Sequence, residues 1–247
     1  MHRLALVLLL LTGSVAYAQP VIYRAQSYTT GTDDRDRAAA LARCVRDVLV
    51  QVSGDPALLK DSRVAGLTAE PETLVSDYVY LDRMTDVPHH DEQGSRDRPY
   101  DLIVRFDPLR IDAILARLGE RPWPAQDRPT VDVRIMLTQG TDSGLLTADG
   151  VFDERQRRAL LAAADKYGLH VVLPSGQGRV IPVGAGAVQL RGTLAWKPEA
   201  FGWAGEWRLA SHGRERAWSI EGVSYDEAFR SALRGALQIL SDHGEPR

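Results

Sequence analysis

The sequence predicts an α+β fold made of two small modules, each a mainly antiparallel sheet covered by helices. Three observations carry that expectation. Segments with apolar residues at helical spacing are interspersed with segments of period two. The period-two segments come as neighbours joined by polar or glycine-containing turns, the arrangement of hairpins. Every period stops at "GERPWPAQDRP", residues 119 to 129, where three prolines and several charges form a linker signature. The modules are therefore expected at residues 19 to 118 and 130 to 247, after a leader at residues 1 to 18.

In the first module "VIYRAQSYT" reads as a strand. "DDRDRAAALARCVRDVLVQVSG" then places Ala38, Leu41, Ala42, Val45, Val48, Leu49 and Val52 on one helical face, and Gly54 stops the helix. Short helical pieces follow at "PALLKD" and "PETLVSDY", the second opening on Pro71. "YVYLDRMTDV" and "YDLIVRFD" are two strands joined by the polar loop "PHHDEQGSRDRP". Asp107-Pro108 caps a helix whose apolar stripe is Leu109, Ile111, Ile114, Leu115 and Leu118.

In the second module "TVDVRIML" is a strand with Val131, Val133, Ile135 and Leu137 on one side. Asp153 caps the helix "ERQRRALLAAADKYG", Gly168 ends it, and "LHVVLP" is another strand. In "AVQLRGTLAWK" Val188, Leu190, Leu194 and Trp196 alternate with polar residues, so one face is buried and one is wet. The final helix has Ser224 and Glu227 as a capping box, a stripe from Tyr225 through Phe229, Leu233 and Leu237 to Leu240, and Gly244 as its end.

Targeting and charge bound the function. Arg3, the apolar run Leu4 to Leu11 and Ala16-Tyr17-Ala18 read as a secretory leader cleaved before Gln19. No later stretch reaches the roughly twenty apolar residues of a membrane span. The mature chain is expected to be soluble, in the periplasm or secreted. Loss of Arg3 leaves 29 of the 30 basic residues against 33 acidic ones, a net charge of minus four, so nucleic acid is not the expected partner. Cys44 is the one cysteine and cannot form an internal disulfide; its place beside the helix stripe marks it as a small hydrophobe.

Four of the five tryptophans lie between residues 192 and 220. "EWRLAS" and "RERAWSIEG" flank His212-Gly213, and a two-residue hairpin there sets Trp207 opposite Trp218. Trp196, Trp207 and Trp218 are therefore expected in the core under the final helix. "KPEAFGW" reads as a loop or bulged edge between two strands. Phe201 and Trp203 in it are the candidate partner contacts, Phe201 as an exposed loop-tip aromatic and Trp203 with an inward pose equally open.

No catalytic, cofactor or metal site is assigned. H-E-x-x-H, G-x-S-x-G, S-x-x-K and P-loop patterns are absent, and "SGQGRVIPVGAGA" lacks the G-x-G-x-x-G spacing of a dinucleotide turn. His89, His90, Asp91 and Glu92 are read as a solvated hairpin loop, because adjacent histidines on an extended strand point apart. The helix "RAAALARCVRDVLVQVSGD", "LHVVLP" and the ending "GTLAW", "WAGEWRL", "AWSIEGVSYDEAF" resemble a bacterial envelope family catalogued as domain of unknown function 2066. That resemblance covers nearly the whole mature chain and implies an exported, two-part proteobacterial protein without an assigned activity or site residue. The functional expectation is a non-catalytic periplasmic binding or assembly protein, its partner an envelope protein or polymer. The alternatives are a hydrolase acting on an envelope polymer and a carrier of a small apolar ligand between the modules.

Overall fold

The computed structural model describes residues 22–86, 90–91, 94–95, 98–151, 153–177, 186–211 and 213–246. The expected leader and its cleavage site, His89, Glu92, most of the glycine-rich 175–187 stretch and the turn residue His212 lie outside the described residues.

The first half runs β1 (Arg24–Thr29), α1 (Asp34–Ser53), a 3₁₀ turn at Pro56–Lys60, α2 (Ser62–Leu67), a 3₁₀ turn at Pro71–Leu74 and β2 (Val75–Asp82). A two-strand pair, β3 (His90–Asp91) and β4 (Gly94–Ser95), precedes β5 (Tyr100–Phe106) and α3 (Pro108–Leu118). β1, β5 and β2 form one antiparallel sheet in that order. The second half runs β6 (Val131–Gln139), β7 (Asp142–Leu145), α4 (Glu154–Tyr167), β8 (Val171–Val172), β9 (Val188–Lys197), β10 (Gly202–Ser211), β11 (Arg214–Val223) and α5 (Tyr225–Leu240). Its sheet has the order β11-β10-β9-β6-β7, with β8 also paired to β6. The β6–β9 and β6–β8 pairs are parallel and the remainder antiparallel, so the expected α+β class holds.

The helix ends follow capping chemistry. Asp33 accepts the Asp36 N–H at the start of α1, and Gly54 closes it in the left-handed region at φ 82°, where glycine has no steric penalty. Asp107 accepts the Leu109 N–H at 2.9 Å to open α3. Ser224 Oγ accepts the Glu227 N–H to open α5. Three details differ from the sequence expectation. Leu109 is 80% exposed in the first turn of α3, and only the stripe from Ile111 onward is buried. Asp153 sits at the N-cap of α4 without capping it; its carboxylate accepts the Thr147 N–H at 2.7 Å and pairs with Arg157 instead. α5 ends at Leu240 with Ser241 as its cap, three residues before Gly244.

The tryptophan packing explains why the second sheet is glycine-punctuated. Trp207 pairs directly with Trp218 across β10 and β11, and both are buried. A Cβ at Gly192 or Gly205 would sit 2.5 or 2.3 Å from the Trp207 ring, and one at Gly235 of α5 would sit 2.5 Å from Trp218. The indoles therefore occupy the space that side chains at these positions would fill, and Trp218 Nε1 donates to the Ser231 carbonyl at 3.2 Å. Trp196 departs from expectation at 39% exposure. It has the inward parity but lies near the end of β9, where it meets Trp203 edge-on at 5.9 Å and is only partly covered.

Residues 119–129, expected as a linker, are held against both halves. Trp123 N–H donates to the Val52 carbonyl at 2.7 Å. Arg128 is buried, stacks on Trp123 at 4.7 Å, and donates to the carbonyls of Gln51 (2.7 Å), Trp123 (2.8 Å), Gly168 (2.9 Å) and Tyr167 (3.1 Å). One guanidinium thus satisfies carbonyls at the C-terminal ends of α1 and α4, where a cation is favoured by the helix dipoles. Burial lowers its pKa to about 10, partly offset by Tyr23. Cys44 lies inside the core, and burial raises its thiol to about 12.

Candidate functional site

The two candidate contact residues separate. Phe201 follows the 3₁₀ turn Pro198–Ala200 between β9 and β10, and is 91% exposed with φ of 50°. A bulky residue in the left-handed region is a conformational outlier, and its N–H donates to the Pro198 carbonyl at 3.1 Å. Trp203 is 6% exposed and lies between Trp196 and Tyr225 as the middle of an edge-to-face aromatic row. It takes the inward pose, which leaves it almost no surface to offer a partner.

A larger feature emerges from the register of the three-stranded sheet. Residues directly paired across antiparallel strands share a face. Ala25, Ser27, Leu102 and Val104 face the helices, and Leu102 and Val104 are fully buried. The opposite face carries three cross-strand rows: Tyr28, Asp101 and Leu81; Gln26, Ile103 and Val79; Arg24, Arg105 and Asp77. Tyr28, Val79 and Leu81 are 48, 48 and 50% exposed. Charges of both signs surround them. Arg83 lies over the Tyr28 ring at 5.9 Å and 3.7 Å from Asp101.

A groove of about 370 Å³ continues this face toward α4 and the start of α5. Its walls are Ala159, Ala162 and Ala163, its rim the Arg24–Asp165 pair at 3.1 Å, the Lys166–Asp47 pair, and Asp226 with Arg230. These ion pairs make the groove a poor host for a small apolar ligand, which would have to desolvate them. The free edge of β1 is blunted at both ends. Gln51 Oε1 accepts the Arg24 N–H, and Arg43 donates to the Tyr28 carbonyl at 2.8 Å and to Ser27 Oγ. Such plugs disfavour addition of another strand, so this sheet offers its face rather than that edge.

Of side chains able to hold a metal, Asp55, Glu120 and His243 bring their ligand atoms within 4.8 Å of one another. No sequence spacing announced them, since Glu120 and His243 are 123 residues apart. Among the described residues, no helix is long and apolar enough to cross a membrane.

Comparison with known proteins corrects one expectation. Residues 16–124 match the model of a different family, "Domain of unknown function (DUF8605)", which overturns the resemblance to domain of unknown function 2066. The earlier resemblance rested on packing patterns, which unrelated α+β proteins share. The uncovered sheet face and its rows all fall inside the matched residues. No curated protein matches the chain. A solved structure described as "Crystal structure of uncharacterized protein" is 16% identical, covering 47% of this chain and 90% of its own, at a TM-score of 0.22.

Proposed function

We propose that this chain is a non-catalytic binding or assembly protein of the periplasm, and that it holds another envelope protein on the outer face of the three-stranded sheet. The observation that carries the reading is the row structure of that face: half-exposed Tyr28, Val79 and Leu81 around Ile103, ringed by Arg24, Arg83 and Arg105 and by Asp77 and Asp101. An apolar centre with a rim of mixed charge is the anatomy of a protein–protein contact. A lipid surface or a nucleic acid would favour a rim of one sign. The leader signature at residues 1 to 18 supports the compartment.

The test is in-cell crosslinking of the wild-type protein and a Val79→Asp/Leu81→Asp variant. The wild type is expected to trap a distinct neighbour that the variant loses, with a melting temperature changed by no more than a few degrees. An adduct equally strong in both removes the face as the site. An adduct of the chain with itself replaces the envelope partner by a second copy. A second reading places contact at Phe201, favoured by its exposure and strained backbone; it predicts that Phe201→Ser alone abolishes the adduct.

A further inference from the structure

Three helices end at one point. α1 is closed by Gly54, α3 by Gly119 and α5 by Ser241. Gly54 packs so closely on Ser241 that a Cβ at residue 54 would lie 2.4 Å from the serine Cβ, and Ser241 Oγ bonds the Gly54 carbonyl at 2.9 Å. Just beyond these caps the chain supplies Asp55, Glu120 and His243, all partly buried. Each helix C-terminus carries a partial charge of roughly −0.5. Two carboxylates and three such ends therefore face one imidazole. The guanidinium of Arg63, whose field reaches Glu120, is committed to both oxygens of Asp61.

The hydrogen bonds point to Nε2 as the nitrogen of His243 that is available. Ser241 Oγ contacts the carbonyls of Leu237 (2.8 Å), Gly54 (2.9 Å) and Gln238 (3.3 Å), which can only accept, so its single proton lies on that side. His243 Nδ1, 2.9 Å from the same oxygen, is then placed to donate to it. This leaves Nε2 facing Glu120 Oε2 at 3.0 Å. Two lone pairs do not sit at that distance without either a proton shared between them or a metal ion bridging them. A ligating histidine is characteristically oriented by a hydrogen bond from its other ring nitrogen, the role Ser241 plays.

We propose that Asp55, Glu120 and His243 bind one divalent transition-metal ion of the zinc class, with water completing the coordination. One imidazole with two carboxylates suits zinc or its first-row neighbours over magnesium or calcium. Ligand atoms about 2.0 to 2.2 Å from a tetrahedral ion stand about 3.3 to 3.6 Å apart, so the His243–Glu120 pair need open by only a few tenths of an ångström. Asp55 accepts the Ala57 N–H through Oδ1, and its carboxylate, already within 4.8 Å of the other two ligand atoms, completes the set. The ion clamps the ends of α1, α3 and α5, a structural site that joins the two halves.

The test uses the mature full-length chain stripped with a chelator, then titrated with Zn²⁺ and separately with Co²⁺. The expected result is one equivalent bound at micromolar or tighter Kd, with the visible Co²⁺ absorption of a nitrogen- and oxygen-ligated low-coordinate ion. Glu120→Gln and His243→Ala should each weaken Zn²⁺ binding at least tenfold and abolish that absorption. Should a variant fail to fold, the wild-type Co²⁺ spectrum and stoichiometry decide alone. Absence of saturable Zn²⁺ binding, or binding that both folded variants retain, overturns the proposal and leaves a His243–Glu120 ion pair.

Discussion

The two sheets each cover one face with helices, and they differ in what they leave on the other. The uncovered face of the six-stranded sheet completes its own chemistry. Arg134 bonds Asp132 at 3.0 Å, Gln189 donates to the same carboxylate at 2.9 Å, and Arg191 donates to Gln189. That face is mainly polar, with one half-exposed apolar pair, Met136 and Leu145, at its β7 edge. The uncovered face of the three-stranded sheet instead sets Tyr28, Val79 and Leu81 beside Ile103. Antiparallel sheets commonly leave one face to solvent, but that face is then polar. The apolar cluster at the centre of this otherwise polar face, which no helix covers, is the feature on which the proposed contact rests.

The contrast can be broken by substitution, the covered faces giving the largest effects. Trp207→Ala should cost about 3 to 5 kcal/mol in urea unfolding, because it empties a fully buried aromatic site that Gly192 and Gly205 make room for. Leu102→Ala, on the helix side of the smaller sheet, should cost about 2 to 5 kcal/mol. Arg128→Met should cost about 2 to 4 kcal/mol, since buried carbonyls at two helix ends lose a charged donor. A loss under about 1 kcal/mol there would mean that Arg128 contributes little to joining the halves. Val79→Asp, on the outer face of the strand pair that holds Leu102, should cost under about 1 kcal/mol. If it costs as much as Leu102→Ala, that face is covered and the contrast fails. Phe201→Gly should be the smallest: a gain of up to about 1 kcal/mol from relief of the left-handed backbone, read as a small rise in melting temperature.

These expectations also mark what was legible in the sequence. The Trp207–Trp218 pairing was readable because a hairpin register is local: turn position and parity decide it. Trp196 was misplaced because parity gives a face but not the distance to the end of the covering helix. Leu109 failed in a related way, since helical spacing put it on the stripe but could not tell that the first turn of α3 is left exposed. The outer face of β2 was not readable at all. "YVYL" is apolar at successive positions, so alternation cannot say which side the helices cover. Asp55, Glu120 and His243 were beyond reach too, because only the convergence of three helix ends brings them together.

The outer face of the smaller sheet carries the proposed contact, and site-specific photocrosslinking in intact cells tests it most directly. A photoreactive residue placed in turn at Leu81, at Thr193 on the polar face of the six-stranded sheet, and at Phe201 samples the three surfaces in one experiment. Strong labelling of one neighbour from Leu81, with little from Thr193, is the predicted result. Equal labelling from Leu81 and Thr193, or labelling confined to Phe201, would contradict it.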